Sequence, residues 1–307
     1  MSEYSCFCCG DEHMIMIPFD ENNSYLKCQT CGHYILDVIV NENGNSLYAD
    51  EQERCYGSGT LESDELFVLV RKEVVNRRIS VISKYINNDN NVLEVGPGGG
   101  DLLKYLGSRG VVVDAVEESE VLASLLQKEV DANIINCEFE LCEFGEKKYD
   151  ALISFHVIEH VVNVLSFLKK TNALVRKGGL IFIATPNASG WENNLPFALS
   201  PNFDMAHINL FSQTSLLKCL KDAGWDIVEI ATPEYSTSWL RVFTKILRRI
   251  KNENEAETQG KYVQALGVNT DLLRFLLSLF RITSFVPRKL QEKMLKGNEL
   301  FVIGRKK

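Results

Sequence analysis

Residues 91–103 read NVLEVGPGGGDLL: a short apolar run, then four glycines and a proline, then the first residues of an amphipathic stretch. A glycine-rich turn between a strand and a helix lets the backbone approach a ligand without Cβ collisions and points helix N-terminal amides at it. The dinucleotide version of this turn needs G-x-G-x-x-G, its third glycine allowing helix and strand to pack closely. Counting from Gly96, Gly98 falls in place but the sixth position is Asp101. The pattern is that of a ligand cradle without the dinucleotide spacing.

Downstream of this turn, apolar runs alternate with helical ones: NVLEV, GDLLKYLGSRG, VVVDAVE, SEVLASLLQKEV, ANIIN, DALISF, VLSFLKKTNALVRKGG and LIFIAT. Strands that are apolar nearly throughout, separated by helices, imply a parallel sheet covered on both faces, the doubly wound α/β class. SQTSLLKCLKDAGW adds a helix with Ser212 as N-cap and Gly224 as stop, and DIVEIA adds a strand. Upstream, LFVLVRKEVVNRRISVISKYI repeats apolar residues at three and four, as one or two amphipathic helices do. The division expected is a cysteine-rich module over 1–45, linking helices over 46–90, the ligand-binding core over 91–235, a helical insertion over 236–295 and a final strand over 296–307. The insertion begins with a basic helix, WLRVFTKILRRIKN, and its apolar stretch LLRFLLSLFRITSFV is expected to stop near Pro287.

An acidic residue, a spacer and G-x-G-x-G at the end of the domain's first strand resemble motif I of the class I S-adenosylmethionine-dependent methyltransferases. The resemblance extends over about residues 60–235. It implies a mostly parallel, seven-stranded, Rossmann-like sheet with S-adenosylmethionine held by Gly96, Gly98 and Gly100. Glu94 stands before the turn, where negative charge suits the cationic head of the cofactor. Glu117 ends the second strand, where the family's acidic residue holds both ribose hydroxyls. Cys137 and Glu138 fall where a residue after the third strand reads the adenine. YDALISFHVIEHV resembles the fourth-strand motif and adds Phe155 to the cofactor side.

The acceptor side centres on histidines. FHVIEH spaces His156, Glu159 and His160 at three and four, which on a helix places them near one face. Methyl transfer is an in-line displacement in which positioning supplies much of the catalysis, and a base is needed only when the acceptor loses a proton. His160 is the best-placed base, with His156 beside it. A histidine that caps or packs the helix start is the plainer alternative, and a divalent-metal set is a third. Quinone-biosynthesis O-methyltransferases resemble this segment with Glu in place of His156. DMAHINLFSQTSLLKCLKDAGW resembles the acceptor-side segment of small-molecule and sugar methyltransferases, which makes His207 a further catalytic candidate. In the zinc-containing C-methyltransferases of nucleotide-linked keto-sugars the matching histidine follows a glutamate, whereas here Ala206 stands in that place.

Cys6, Cys9, Cys28 and Cys31 form two CxxCG knuckles, the ligand set of a structural tetrahedral zinc ion, with Cys8 as a spare. The remaining cysteines are scattered, so the pattern favours metal over cystines. Zinc ribbons also occur in ribosomal-RNA guanine methyltransferases, but Lys27 is the only Lys or Arg in the first 45 residues here, against several acids. A net charge of −8 likewise disfavours a broad phosphate-binding face and makes nucleic acid an unfavoured partner. The expected partner is a small-molecule acceptor, such as a sugar nucleotide or lipid-linked glycan. Arg and Lys beside Leu, Phe and Ile over 240–287 suit either core packing, a dimer interface or peripheral contact with a membrane. A basic leader with an apolar run is absent, so a cytoplasmic location is expected. A zinc-ribbon binding module whose core retains the cofactor fold without turnover is the alternative from another functional class.

Overall fold

The computed structural model describes residues 5–18, 23–37, 65–194, 200, 202–203, 205–236, 238 and 270–307. Its centre is a strand that buries both faces. On β4 (Asn91–Val95), Val92 enters one apolar core while Leu93 and Val95 enter another. The same split recurs on β7 (Tyr149–Phe155), where Ala151 and Ile153 oppose Leu152, and on β8 (Val175–Pro186), where Phe182 opposes Ile181 and Ile183. Period-two alternation between two buried faces is why these strands read as continuously apolar.

With β5 (Val112–Glu117), β6 (Asn133–Asn136), β10 (Trp225–Ala231) and β11 (Glu299–Lys306), they form a seven-stranded sheet of order β10-β11-β8-β7-β4-β5-β6. β4 pairs in parallel with both β5 and β7, and only β11 runs antiparallel to its neighbours β8 and β10. The strand order reverses between β4 and β7. In open α/β sheets that reversal opens a crevice at the carboxyl ends, where ligands bind. The doubly wound fold expected from the sequence is the one observed.

Helices α1 (Glu65–Ile82), α2 (Asp101–Ser108), α3 (Glu120–Glu129), α4 (Val164–Leu174) and α5 (Gln213–Asp222) cover the sheet. Ser119, Asn163 and Ser212 cap the last three, each side chain accepting a backbone N–H three residues on. Gly224 follows α5 at φ 89°, the left-handed stop that its position suggested.

The cysteine module is stitched into the core. β1 (Met14–Pro18), β2 (Ser24–Cys28) and β3 (Tyr34–Leu36) form an antiparallel sheet whose fourth strand, β9 (Asn209–Leu210), comes from the acceptor-side segment. Tyr34 pairs with Leu210 and Ile35 with Asn209. Ser212 donates to the Cys31 carbonyl, and His33, wholly buried, lies between the rings of Phe7 and Phe211 with centroids 4.8 Å from each. Burial pushes His33 down to about 4, so this histidine is neutral filling.

Three expectations change. FHVIEH is not helical: β7 ends at Phe155, His156 takes φ 55°, and residues 158–160 form a turn, because the chain reverses at the sheet's carboxyl edge before α4 begins. Pro287 does not end a helix. α6 (Thr270–Thr283) stops first and α7 (Phe285–Lys293) carries Pro287 in its first turn, where the missing N–H costs nothing. Cys137 and Cys142, which looked scattered, are joined as a disulfide across a tight turn. Residues 38–64 of the module and linker and the basic helix expected at 239–252 lie outside the described residues.

Gly96 and Gly178 give a comparison that separates backbone strain from packing. Both have positive φ, but a Cβ on Gly96 would sit 2.5 Å from Val157 Cγ2 whereas one on Gly178 meets nothing within 4 Å. Gly178→Ala is expected to cost about 1–2 kcal/mol from the left-handed conformation alone. Gly96→Ala is expected to cost at least about 2 kcal/mol, because overpacking adds to that strain. Urea unfolding of the two variants checks the order.

Candidate functional site

The glycine turn follows β4 and delivers the chain into α2, with Gly100 as the helix N-cap at φ 69°. Beside it a cavity of about 290 Å³ opens at the carboxyl ends of β4, β5 and β6, lined among others by Gly96, Glu117, Glu118, Cys137, Glu138 and His160. Glu117 is 1% exposed; its Oε1 accepts the Ser119 N–H at 3.0 Å and its Oε2 is buried without a hydrogen-bond partner. Burial pushes its carboxyl up to about 7, against the Ser119 amide and with help from Glu118. Glu94 is buried too, with Oε2 unpartnered, and burial raises it to about 8, with Arg78 opposing and Asp101 assisting. Glu118 rises to about 7 through burial and its neighbours Glu138 and Glu140.

Two buried carboxylates with an unpartnered oxygen mark acceptors for hydrogens the chain does not supply. A ribose diol fits Glu117, which lines the cavity, whereas Glu94 stands behind the turn and is not among the lining residues. The concentration of acids around the cavity opposes a pyrophosphate, as does the position of Asp101. Glu118 and Glu140 escaped the sequence reading, although the acidic runs around Glu118 and Glu138 carried the signal. Gly98 and Gly100 shape the turn, Cys137 and Glu138 line the cavity, and Phe155 does not. Strand alternation sends the Phe155 ring to the other face, against Phe301 at 5.7 Å and under the Arg78 guanidinium at 4.5 Å; Val157 lines the cavity in its stead.

At the acceptor end, His156 has both ring nitrogens committed. Nδ1 is 3.0 Å from Glu159 Oε1 and Nε2 is 2.9 Å from Glu299 Oε2. Burial alone would lower its pKa, but the two carboxylates outweigh it and raise it above the ordinary 6.5. Glu159 and Glu299 are held down to about 2 despite their burial, Glu159 chiefly by His156 and Glu299 by Arg78 and then His156. Thr185 donates to Glu159 Oε2 at 3.0 Å and Tyr235 donates to Glu299 Oε1 at 2.8 Å. His156 thus ties β7 to β11 through its two carboxylate neighbours, and it is not among the residues that line the cavity.

His160 and His207 meet as expected. Their rings stack with centroids 5.1 Å apart. His160 Nδ1 donates to the Ala206 carbonyl at 2.7 Å and His207 Nδ1 to the Asn202 carbonyl at 3.1 Å. In the neutral ring each such bond leaves Nε2 as the lone-pair nitrogen. The ligand atoms of Glu159, His160 and His207 lie within 4.8 Å of one another, although both Glu159 oxygens already face His156 and Thr185. Tyr25, on the ribbon, donates to the His207 carbonyl at 2.8 Å, and Phe203 packs against Tyr25 and Tyr34.

The four knuckle cysteines converge as well. Cys6 and Cys31 Sγ are 3.5 Å apart, as are Cys9 and Cys28, near the roughly 3.8 Å edge of a tetrahedron with 2.3 Å metal–sulfur bonds. All four lie within 4.8 Å of one another, and the Cys31 N–H points at Cys28 Sγ. The set fits a tetrahedral thiophilic ion. Cys8 turns instead toward Cys6 and Cys219 of α5.

An order-reversing sheet with an acidic crevice beyond a G-x-G-x-G turn defines the class I S-adenosylmethionine-dependent methyltransferase fold. The chain belongs to the methyltransferase domain family, whose model matches residues 69–230. It is 26% identical over 135 residues to a ubiquinone biosynthesis O-methyltransferase of Coxiella burnetii, covering 42% of this chain and 55% of that one. It is 34% identical over 102 residues to the protein of that name from Brucella ovis, covering 31% and 40%. The matches span about half the length of these curated relatives or less. Among solved structures, a SAM-dependent methyltransferase from Archaeoglobus fulgidus shares the fold at TM-score 0.51 and 17% identity, over 79% of this chain and all of that one. The 1,6-didemethyltoxoflavin-N1-methyltransferase of Burkholderia thailandensis does so at TM-score 0.50 and 13% identity, over 95% and 98%.

The His156 clamp has a measurable signature. In an NMR titration His156 is expected to titrate above 6.5, and Glu299→Gln to bring it down because burial then faces one carboxylate fewer. Its raised value means that its share of stability is full below 6.5 and is lost as the pH climbs through the folded-state value.

Proposed function

We propose that this chain is an S-adenosylmethionine-dependent methyltransferase acting on a small molecule, a sugar or a glycan or secondary-metabolite precursor, at oxygen or carbon. The observation that carries this reading is that His160 lines the same cavity as Glu117, Cys137 and Glu138, so a proton acceptor and the nucleoside-binding carboxylate share one space. Bound S-adenosylmethionine supplies a methyl group made electrophilic by its sulfonium. Toward it, Glu117 accepts from the ribose hydroxyls, Glu94 balances the cationic head, and the Gly96–Gly100 turn lets the backbone approach. His160 Nε2, oriented by the Ala206 carbonyl, takes the acceptor's proton, and His207 stacked on it confines the acceptor. A zinc ion held by Cys6, Cys9, Cys28 and Cys31 fixes the ribbon, whose strand β3 and Tyr25 hold the His207 segment.

The union of ribbon and His207 segment in one sheet supports a sugar-type acceptor, since the resemblance to zinc-containing sugar methyltransferases rests on those two parts. A quinol hydroxyl is the second reading, favoured by the names of the curated relatives. RNA fits poorly with a ribbon whose one cation in the first 45 residues is Lys27.

Incubation with methyl-labelled S-adenosylmethionine and separate pools of sugar nucleotides, quinols and RNA tests the assignment. Label is expected in the sugar pool and is expected to fall at least about a hundredfold in rate with His160→Ala. Label confined to RNA, or cofactor binding without turnover on any pool, overturns it. Cofactor affinity is expected to rise as the pH climbs through about 7, where Glu117 ionises, and Glu117→Gln to weaken binding about tenfold or more and flatten that profile, by calorimetry. Metal analysis is expected to find zinc in the intact protein and to lose it in Cys31→Ser.

A further inference from the structure

We propose that the helical insertion presents a docking face for an anionic phospholipid surface. The inference stands apart from the acceptor assignment. On α6 and α7 the side chains of Phe275, Leu279, Ile282, Val286, Leu290 and Met294 recur every three or four residues across Ser284, and all are 49–72% exposed. That spacing makes one stripe along two successive helices. Elsewhere among the described residues the exposed large apolar side chains are scattered, apart from the neighbours Ile15 and Met16. Scattered ones are ordinary, but a continuous stripe calls for an occupant.

Charge identifies that occupant. Residues 270–296 hold six Lys or Arg against two acids, in a chain of net charge −8. The cations divide into two sets. Arg288 is turned inward, 12% exposed, toward Glu73 and the Glu234 carbonyl, and serves the fold. Arg281 and Lys289 are each 49% exposed, the first 3.5 Å from Glu73 and the second 2.7 Å from Glu292, and Lys293 is exposed; at 100° per residue they lie about 100°, 100° and 60° from the stripe residues Ile282 and Leu290. An apolar stripe flanked by outward cations matches the boundary between acyl chains and anionic headgroups, where each basic group adds attraction. No described helix is long and apolar enough to cross a membrane, so the helices lie along the surface. The inward side is anchored to the core: Arg77 donates to Glu292 at 2.6 Å, and Thr232 donates to the Glu292 carbonyl.

Sedimentation of the intact protein with vesicles tests this. It is expected to pellet with phosphatidylcholine vesicles containing phosphatidylglycerol, not with pure phosphatidylcholine, and to be released by salt. Both Ile282→Glu/Leu290→Glu and Lys289→Glu/Lys293→Glu are expected to weaken binding by at least about tenfold. Where the first pair alters the thermal melt, the charge-reversal pair decides, since its side chains pack against no apolar core. Wild type remaining in the supernatant with both vesicle types overturns the proposal, as does binding that neither pair weakens. A dimer in size-exclusion chromatography that the glutamate pair dissociates, without vesicle binding, assigns the stripe to a second copy and overturns it equally.

Discussion

The acceptor end of the molecule depends on a ladder of two residue pairs, Tyr34 with Leu210 and Ile35 with Asn209. Asn209 joins three segments: its N–H donates to the Glu159 carbonyl and its Nδ2 to the Val161 carbonyl, while its backbone pairs with the ribbon. The turn that carries Glu159 and His160 is therefore fastened to the strand that follows His207, and both to the cysteine module. Buried hydrogen bonds of this kind are costly to break singly, about 1–3 kcal/mol each. The ribbon thus braces, from behind, the two segments that carry His160 and His207.

The two ends of the crevice use opposite electrostatics. At the cofactor end, burial outweighs any counter-charge and raises Glu94, Glu117 and Glu118 toward neutrality, Glu94 in spite of Arg78. At the acceptor end, Glu159 and Glu299 are equally buried but fully ionised, because His156 and Arg78 stand against them. The first set is poised for a ligand and the second is finished structure. That contrast separates His156, held between two carboxylates, from His160, which its spacing groups with it but which faces the cavity.

Local patterns were the legible part. The apolar runs, the glycine turn, the caps Ser119, Asn163 and Ser212 and the stop at Gly224 all follow from neighbours within a few residues, and the cofactor end follows from strand ends that those patterns locate. The illegible part is long-range. Phe155 was placed on the wrong face because the fate of a strand's last residue depends on where the chain bends. His156 was misassigned because its partner Glu299 lies 143 residues away. The bond between Cys137 and Cys142 hides in a turn that no periodicity marks, and the ribbon's fourth strand is only two residues long.

Ile35 and Asn209 meet across about 170 residues of chain. At ribosomal rates that interval lasts roughly ten to thirty seconds. During it the four knuckle thiols and the neutral His33 have left the ribosome while Phe211, Ser212 and Cys219, which later bury them, are unmade. The ribbon must close on itself before its seat exists. A metal ion acquired early would guard those thiols through that exposed interval, and strand β9 would then complete a unit already formed before it.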